Sequence, residues 1–269
     1  CNGGRKMKQR VITAIVALII FIPLLILGGT PFNLLVVAMG LIGMSEFLRM
    51  KKKLLVSPEA IIGFLAMASL LIPKTWLDFI PEQVTNLGMF YFFSLCLLLY
   101  TVFSKNRFSF DDAGVLILGS VYAGIGFGYM MHARAVSLWM LLYALLIVWL
   151  TDSGAYMIGR KLGKHKLAPH ISPNKTWEGS IGGSLVAVVV VSCYLYFFPE
   201  LHAYDSVTMI GLTLLYSVGG QLGDLVESAF KRYYGVKDSG NILPGHGGIL
   251  DRFDSLLFVL PLMHFTGLI

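Results

Sequence analysis

The sequence predicts an all-α, polytopic integral membrane protein of about nine transmembrane helices with its N-terminus in the cytoplasm. Of its 269 residues 56% are hydrophobic and only 13% charged, and the mean hydropathy is +0.75, too apolar for a water-soluble domain. The apolar residues gather in long runs, and about 20 such residues in a helix cross the roughly 30 Å hydrocarbon layer. Basic residues collect in alternate connections between the runs, as the positive-inside rule requires.

The runs cover 11–29, 31–48, 60–72, 87–103, 113–131, 137–158, 180–198, 207–230 and 253–268. The third is short because Pro73 follows it closely. Lys6-Met7-Lys8-Gln9-Arg10 could open a secretory signal. The apolar run behind it is long for that role and lacks an A-x-A-like cleavage site, so an uncleaved first span is expected. Residues 1–6 precede Met7 and read as a cloning scar.

With nine alternating spans, 19 of the 21 Lys and Arg residues fall on the cytoplasmic side, and only Lys74 and Arg134 fall outside. The two longest polar connections then share that side. Polarity divides the chain: 7–131, spans one to five, holds almost no buried charge, whereas 132–269, spans six to nine with two polar loops, is expected to carry the chemistry.

A net charge of +6 would suggest nucleic acid in a soluble protein. Here the basic residues sit in short loops between spans, where topology and lipid headgroups account for them, and no nucleic-acid partner is expected. Cys1, Cys96 and Cys193 have no metal or redox spacing, and the last two read as inert core residues. Gly124 with Gly128, and Gly219 with Gly223, are small-xxx-small pairs that let helix backbones approach. The stretch from Gly159 to His165 is no phosphate-binding P-loop, since its spacing differs and no Ser or Thr follows the Lys. His165 and His170 have no partner at a metal-binding spacing and read as surface residues.

Ionisable residues inside spans are expensive and by default mark function. Asp152 and Tyr156 share one face near the cytoplasmic end of span six; a carboxylate bonded to a neighbouring helix is the bland alternative. In span eight Gly220, Asp224, Glu227, Ser228 and Lys231 form a polar stripe that must face protein or water, with a buried ion-pair network as its alternative. His246-Gly247-Gly248-Ile249-Leu250-Asp251-Arg252-Phe253-Asp254 leads into span nine, with Asp251 and Asp254 one turn apart. Gathered carboxylates repel unless a cation is bound, and hard oxygen donors favour Mg²⁺ that also holds phosphate, with room for a second cation. With Lys231, Arg232, Lys237 and Arg252 nearby, the set suits phosphoryl or nucleotidyl transfer, in which phosphate charge must be neutralised.

The remaining loop brings Ser172, Asn174, Lys175, Thr176 and Glu178 to the glycine-rich start of span seven. Backbone N–H groups at that helix end suit an anion. Simple capping, with Glu178 favouring the helix dipole, is the alternative, and it leaves Lys175 unexplained.

From Ser228 to Asp254 the chain resembles the phosphatidate cytidylyltransferase family. Ser228-x-Phe230-Lys231-Arg232, then Lys237-Asp238-x-Gly240, then Leu243-Pro244-x-His246-Gly247-Gly248-Ile249-x-Asp251-Arg252-Phe253-Asp254 carry the resemblance over 27 residues. The stretches 152–166 and 172–176 are similar too, although Asn174 stands where the family has Lys or Gly. The resemblance implies a multi-pass, often homodimeric enzyme of the cell (inner) membrane with its site facing the cytoplasm. It would convert CTP and phosphatidic acid into CDP-diacylglycerol and pyrophosphate with Mg²⁺. Asp224 and Asp251 are then the leading metal ligands, followed by Asp152, Glu227 and Asp254, and Lys175, Lys231, Arg232 and Arg252 hold phosphates. Ser172, Asn174, Lys175, Thr176, Glu178, Lys237 and His246 form the nucleotide-binding set. A CTP-dependent lipid kinase of the polyprenol type and an ion or metabolite transporter are the competing functions.

Overall fold

In hydrocarbon every backbone N–H and C=O must pair within the chain, and a helix does this within one segment. The computed structural model describes residues 2–269, with side chains from Lys8 onward. Helices α1 (Asn2–Leu27), α2 (Gly29–Met50), α3 (Pro58–Leu71), α4 (Asn86–Phe103) and α5 (Phe110–Val136) are followed by α6 (Leu138–Leu162). Strands β1 (Lys166–Ala168) and β2 (Ser172–Thr176) then precede α7 (Trp177–Phe197), α8 (Ser206–Tyr233), α9 (Leu250–Phe253) and α10 (Leu256–Phe265).

Seven helices among the described residues, namely α1, α2 and α4 to α8, are long and apolar enough to cross a membrane. The expected nine included α3 and a continuous helix over 253–268. At 1.5 Å per residue the two shorter apolar helices, α3 and α10, extend about 21 and 15 Å, and the alternation of sides expected for nine runs holds only if α3 also crosses. The last expected span is interrupted: α9 stops at Phe253 and α10 begins at Leu256. Asp254 Oδ1 accepts the Ser255 N–H at 2.8 Å at the break, the local competition by which Asp opposes helix continuation.

The expected loop before α7 contains an antiparallel hairpin, β1 on β2, with Lys166 opposite Thr176 and Ala168 opposite Ser172. Pro173 and Asn174 are poor strand formers, and two strands this short carry no periodicity to detect.

The chain divides into two compact units, Cys1–Met131 with Asp238–Leu250, and His132–Lys237 with Asp251–Ile269. In the first, a Cβ on Gly124 would lie 3.0 Å from the Met67 carbonyl oxygen and one on Gly128 would lie 3.7 Å from that of Leu70, so this pair seats α5 against α3. Ser120 Oγ donates to the Gly63 carbonyl at 3.2 Å across the same contact. Lys51 and Lys53 both pair with Asp112, the latter at 2.9 Å. Ile12, Ile19 and Leu27 of α1 are exposed, as suits a helix whose surroundings are lipid.

In the second unit α6 and α7 touch backbone to backbone. A Cβ on Gly179 would lie 3.0 Å from the Gly159 Cα, and one on Gly154 would lie 3.0 Å from the Gly183 Cα. Gly219 and Gly223 of α8 face Leu262 and Phe258, which makes this pair a packing device as expected. Hydrogen bonds tie the three long helices together: Thr151 to Ser217 at 2.7 Å, Ser217 to Ser184 at 2.9 Å, and Gln221 Nε2 to Ser184 Oγ at 2.9 Å. Cys193 is exposed and Cys96 half-buried, so neither is the core residue anticipated; both lie on apolar helices, and Cys193 points outward from α7.

Candidate active site

The second unit builds its site where α6 ends, α7 begins and the last third of α8 passes. Thr176 caps α7, its Oγ1 accepting the Gly179 N–H at 3.2 Å. Glu178 reaches back to the chain leaving α6, accepting the backbone N–H of Lys164 at 3.1 Å and contacting His165 Nδ1 at 2.6 Å. The hairpin is thus held at its root, and β2 presents Lys175 toward α8.

Lys175 Nζ lies 2.7 Å from Asp224 Oδ2, with both side chains about a quarter exposed. They border a cavity of about 450 Å³ lined also by Asp152, Tyr156, Thr176 and Gln221, a size in the range of small-ligand sites. Ser228 Oγ donates to Asp224 Oδ1 at 3.3 Å. Asp254 lies within electrostatic reach of Asp224 and Asp152 and so adds a third carboxylate to the two that line the cavity.

A second lysine is almost sealed from solvent. Lys231 Nζ contacts Glu227 Oε2 and Asp251 Oδ1, each at 2.6 Å, and the side chains of Lys231, Glu227 and Asp251 are 11%, 0% and 5% exposed. The other Glu227 oxygen, Oε1, is buried and accepts from no N–H or hydroxyl among the described residues, and the Asp254 carboxylate lies within hydrogen-bonding reach of Glu227. The bland alternatives weighed for the sequence, a capped helix and a buried ion-pair network, are therefore both present, and they coexist with an open acidic cavity.

Other expected site residues are placed differently. Arg232 spends its guanidinium on backbone, donating from Nε to the Ile171 carbonyl at 3.2 Å, which braces the hairpin turn, and from Nη1 to that of Val236 at 3.1 Å. Arg252 is exposed and within electrostatic reach of Asp152. Asn174 lines the cavity, whereas Ser172 is half-buried in β2 and Lys237 is exposed at the end of the second unit's first segment. His246 belongs to the first unit. Its N–H donates to the Leu243 carbonyl at 2.8 Å, closing a turn over Pro244-Gly245, while its buried Nδ1 has no partner among the described residues. Among the described residues no three His, Cys, Asp or Glu side chains converge as a ready-made metal cage.

Two participants escaped the sequence reading. Gln221 lines the cavity one turn before Asp224 and could have been found as a polar residue on the same stripe. Glu46, only 1% exposed in α2, is an intramembrane carboxylate that the rule applied to Asp152 should have flagged.

Fold and site together define a multi-pass membrane protein that sets Asp152, Asp224 and Lys175 around a ligand-sized cavity at the ends of its spans. The chain belongs to the cytidylyltransferase family, which it matches over residues 8–269. It is similar to proteins named phosphatidate cytidylyltransferase. One from Staphylococcus haemolyticus is 49% identical over 258 residues, covering 96% of this chain and 98% of that protein. One from Bacillus subtilis is 48% identical over 265 residues, covering 96% and 97%, and one from Staphylococcus aureus is 48% identical over 262 residues, covering 96% and 98%.

Proposed function

We propose that the protein joins phosphatidic acid to CTP, giving CDP-diacylglycerol and pyrophosphate, with its cavity open to the cytoplasm. Nearly half-identity along nearly the whole chain to proteins named for this reaction supports the reaction class. The observation that carries the site is Lys175 on Asp224 at the cavity wall. A part-exposed ammonium can exchange its carboxylate for a phosphate because the released Asp224 carboxylate, 28% exposed, can be taken over by water or a cation.

The lipid phosphate has a second pKa of about 6 and is ionised at neutral pH, so it can attack the α-phosphorus of CTP without a general base. The new bond joins a lipid phosphate oxygen to that phosphorus, and pyrophosphate departs with the electrons of the broken bond. Lys175 and the backbone at the start of α7 bind nucleotide phosphates; Thr176 and Asn174 shape the cavity around them. Lys231, fixed between Glu227 and Asp251, supplies a positive charge that cannot swing away.

The donor set fits Mg²⁺: it is made of hard carboxylate oxygens, and two of the carboxylates, Glu227 and Asp254, lie within hydrogen-bonding reach of one another, a like-charged pair that a cation would relieve. Asp224 and Asp251 would hold the ion, with Asp152, Glu227 and Asp254 around them. Substrate phosphates and water would complete a shell that the protein leaves partial, as is usual for this ion. When bound it would offset charge on the phosphate oxygens.

The deciding experiment incubates purified protein with CTP, Mg²⁺ and phosphatidic acid and identifies lipid and nucleotide products together. CDP-diacylglycerol with pyrophosphate is expected. CDP with a phosphorylated lipid alcohol would replace this proposal with a lipid kinase, and solute flux without CTP turnover would replace it with a transporter. Orientation is tested by single cysteines: Lys166→Cys and Lys237→Cys should label from the cytoplasm and Asp205→Cys from the opposite side. Labelling of 166 and 237 from opposite sides would refute a shared face.

A further inference from the structure

A single carboxylate in the first unit holds both ends of the loop over 239–250. Glu46 Oε2 accepts from Ser239 Oγ at 2.8 Å and from the Leu250 N–H at 3.0 Å, and its Oε1 accepts the Ile249 N–H at 2.8 Å. Ser239 and Leu250 are 3% and 0% exposed, so water cannot substitute for these bonds. The glycines at the two ends are those that make room. A Cβ on Gly240 would lie 2.8 Å from Glu46 Oε1, and one on Gly248 would collide with Glu46 Oε1 and Ser239 Oγ. Leu250 itself is seated against Gly43, one helical turn before Glu46, where a Cβ would come within 3.0 Å of Leu250 Cδ2.

Between these anchored ends the chain turns on itself. Leu243 N–H donates to the Gly247 carbonyl at 3.0 Å, with Gly245 and Gly247 at φ of +80° and +81°, the left-handed region that suits glycine. One peptide bond past the anchored Leu250 lies Asp251, whose carboxylate holds Lys231 at 2.6 Å.

We propose that Glu46 is a positioning residue for nucleotidyl transfer, fixing the 239–250 loop through Ser239, Ile249 and Leu250 and thereby the backbone from which Asp251 projects. The inference rests on the assignment of Asp251 to the transfer site. All three groups that Glu46 receives here are donors and they engage both of its oxygens, so the ionised carboxylate is the form that fits. An amide of the same shape would turn an NH₂ toward one of those donors. A displacement of 1 Å at a reacting group can lower a rate about 100-fold, so a carboxylate that never touches substrate can govern turnover.

The test uses the full chain in lipid nanodiscs with four variants: Glu46→Gln, Gly248→Ala, the double variant Glu46→Asp/Gly248→Ala, and Asp251→Asn. Each is measured for kcat, KM for CTP, thermal midpoint and hydrogen exchange across 239–250. Glu46→Gln is expected to lower kcat per folded molecule about 100-fold, to leave KM for CTP within about threefold, and to speed exchange in the loop while α2 stays protected. Gly248→Ala should lower kcat similarly. The double variant should recover part of that loss, because an aspartate retracts by one methylene from the added methyl. A lowered thermal midpoint with wild-type kcat per folded molecule would make Glu46 merely structural and overturn the proposal, as would unchanged loop exchange or a raised KM at constant kcat. If Glu46→Gln does not fold, the comparison of Gly248→Ala with the double variant decides, and absence of recovery counts against the proposal. An active Asp251→Asn would remove the underlying site assignment; an inactive Asp251→Asn beside a fully active Glu46→Gln would remove the role of Glu46 alone.

Discussion

Two lysines meet carboxylates in the second unit, and their surroundings differ sharply. Lys175 and Asp224 form a single contact at a cavity wall and are 26% and 28% exposed. Lys231 is clasped by Glu227 and Asp251, which are 0% and 5% exposed. An exposed pair contributes about 0 to 1 kcal/mol and can open when a competing anion arrives. A buried pair that loses one member leaves a stranded charge and costs about 3 to 5 kcal/mol. The same chemistry therefore performs two tasks: one pair is available for exchange with substrate, and the other fixes where charge stands.

Asp251→Asn should remove both a proposed metal ligand and a partner of the buried Lys231, and have the largest effect. Turnover should fall by about 10²–10³-fold, the scale of losing one electrostatic stabiliser, and the thermal midpoint should drop as well, measured by scanning fluorimetry in detergent. Asp224→Asn should match that loss of turnover with little change in melting, and CTP with Mg²⁺ should stabilise the wild type but not this variant, by linkage. A variant that melts far lower yet keeps wild-type activity per folded molecule would undo the contrast. Lys231→Met is expected to cost about 3 to 5 kcal/mol in stability, seen as a shifted denaturation midpoint.

Lys175→Ala sharpens the comparison from the exposed side. It should raise KM for CTP about tenfold, the loss of one charge-assisted bond of about 1.4 kcal/mol, while melting barely moves. Unchanged CTP kinetics would return the β2 end to a capping role. The smallest effect is expected from Ser217→Ala, which breaks the Thr151–Ser217–Ser184 relay and should cost about 0.6 kcal/mol, the mean for such bonds in membranes, with kcat retained.

How far the sequence could be read follows from where its signals are strong. Long apolar runs survive as helices because lipid leaves the backbone no other option, and α6, α7 and α8 begin or end within a few residues of expectation. The last span failed because hydropathy averages over Asp254 and Ser255, which break it locally. The hairpin was hidden since five residues including Pro173 show no alternation. Around the site, Asp152, Lys175 and Asp224 do line one cavity, and Lys231 does meet Glu227 and Asp251. Sequence spacing could not reveal which lysine is sealed, nor that Arg232 serves backbone carbonyls, because the first depends on a contact between α8 and α9 and the second on where the hairpin turn comes to lie. Glu46 was overlooked although a carboxylate within an apolar helix is the same anomaly as Asp152; its partners lie 193 to 204 positions away.

The glycine seam between α6 and α7 has a consequence for the entropy of binding. Gly154 and Gly159 on α6 and Gly179 and Gly183 on α7 bring main chain onto main chain, and a surface without side chains has no rotamers to freeze. The hairpin that carries Asn174, Lys175 and Thr176 springs from this seam. Immobilising one flexible side chain at an interface costs about 0.5 to 1.5 kcal/mol, and a wall assembled from backbone avoids that loss before any ligand arrives. Enlarging Gly159 or Gly179, the two that line the cavity, would lower affinity even where the helices still packed, because the added side chain would stand in the wall that the backbone now forms.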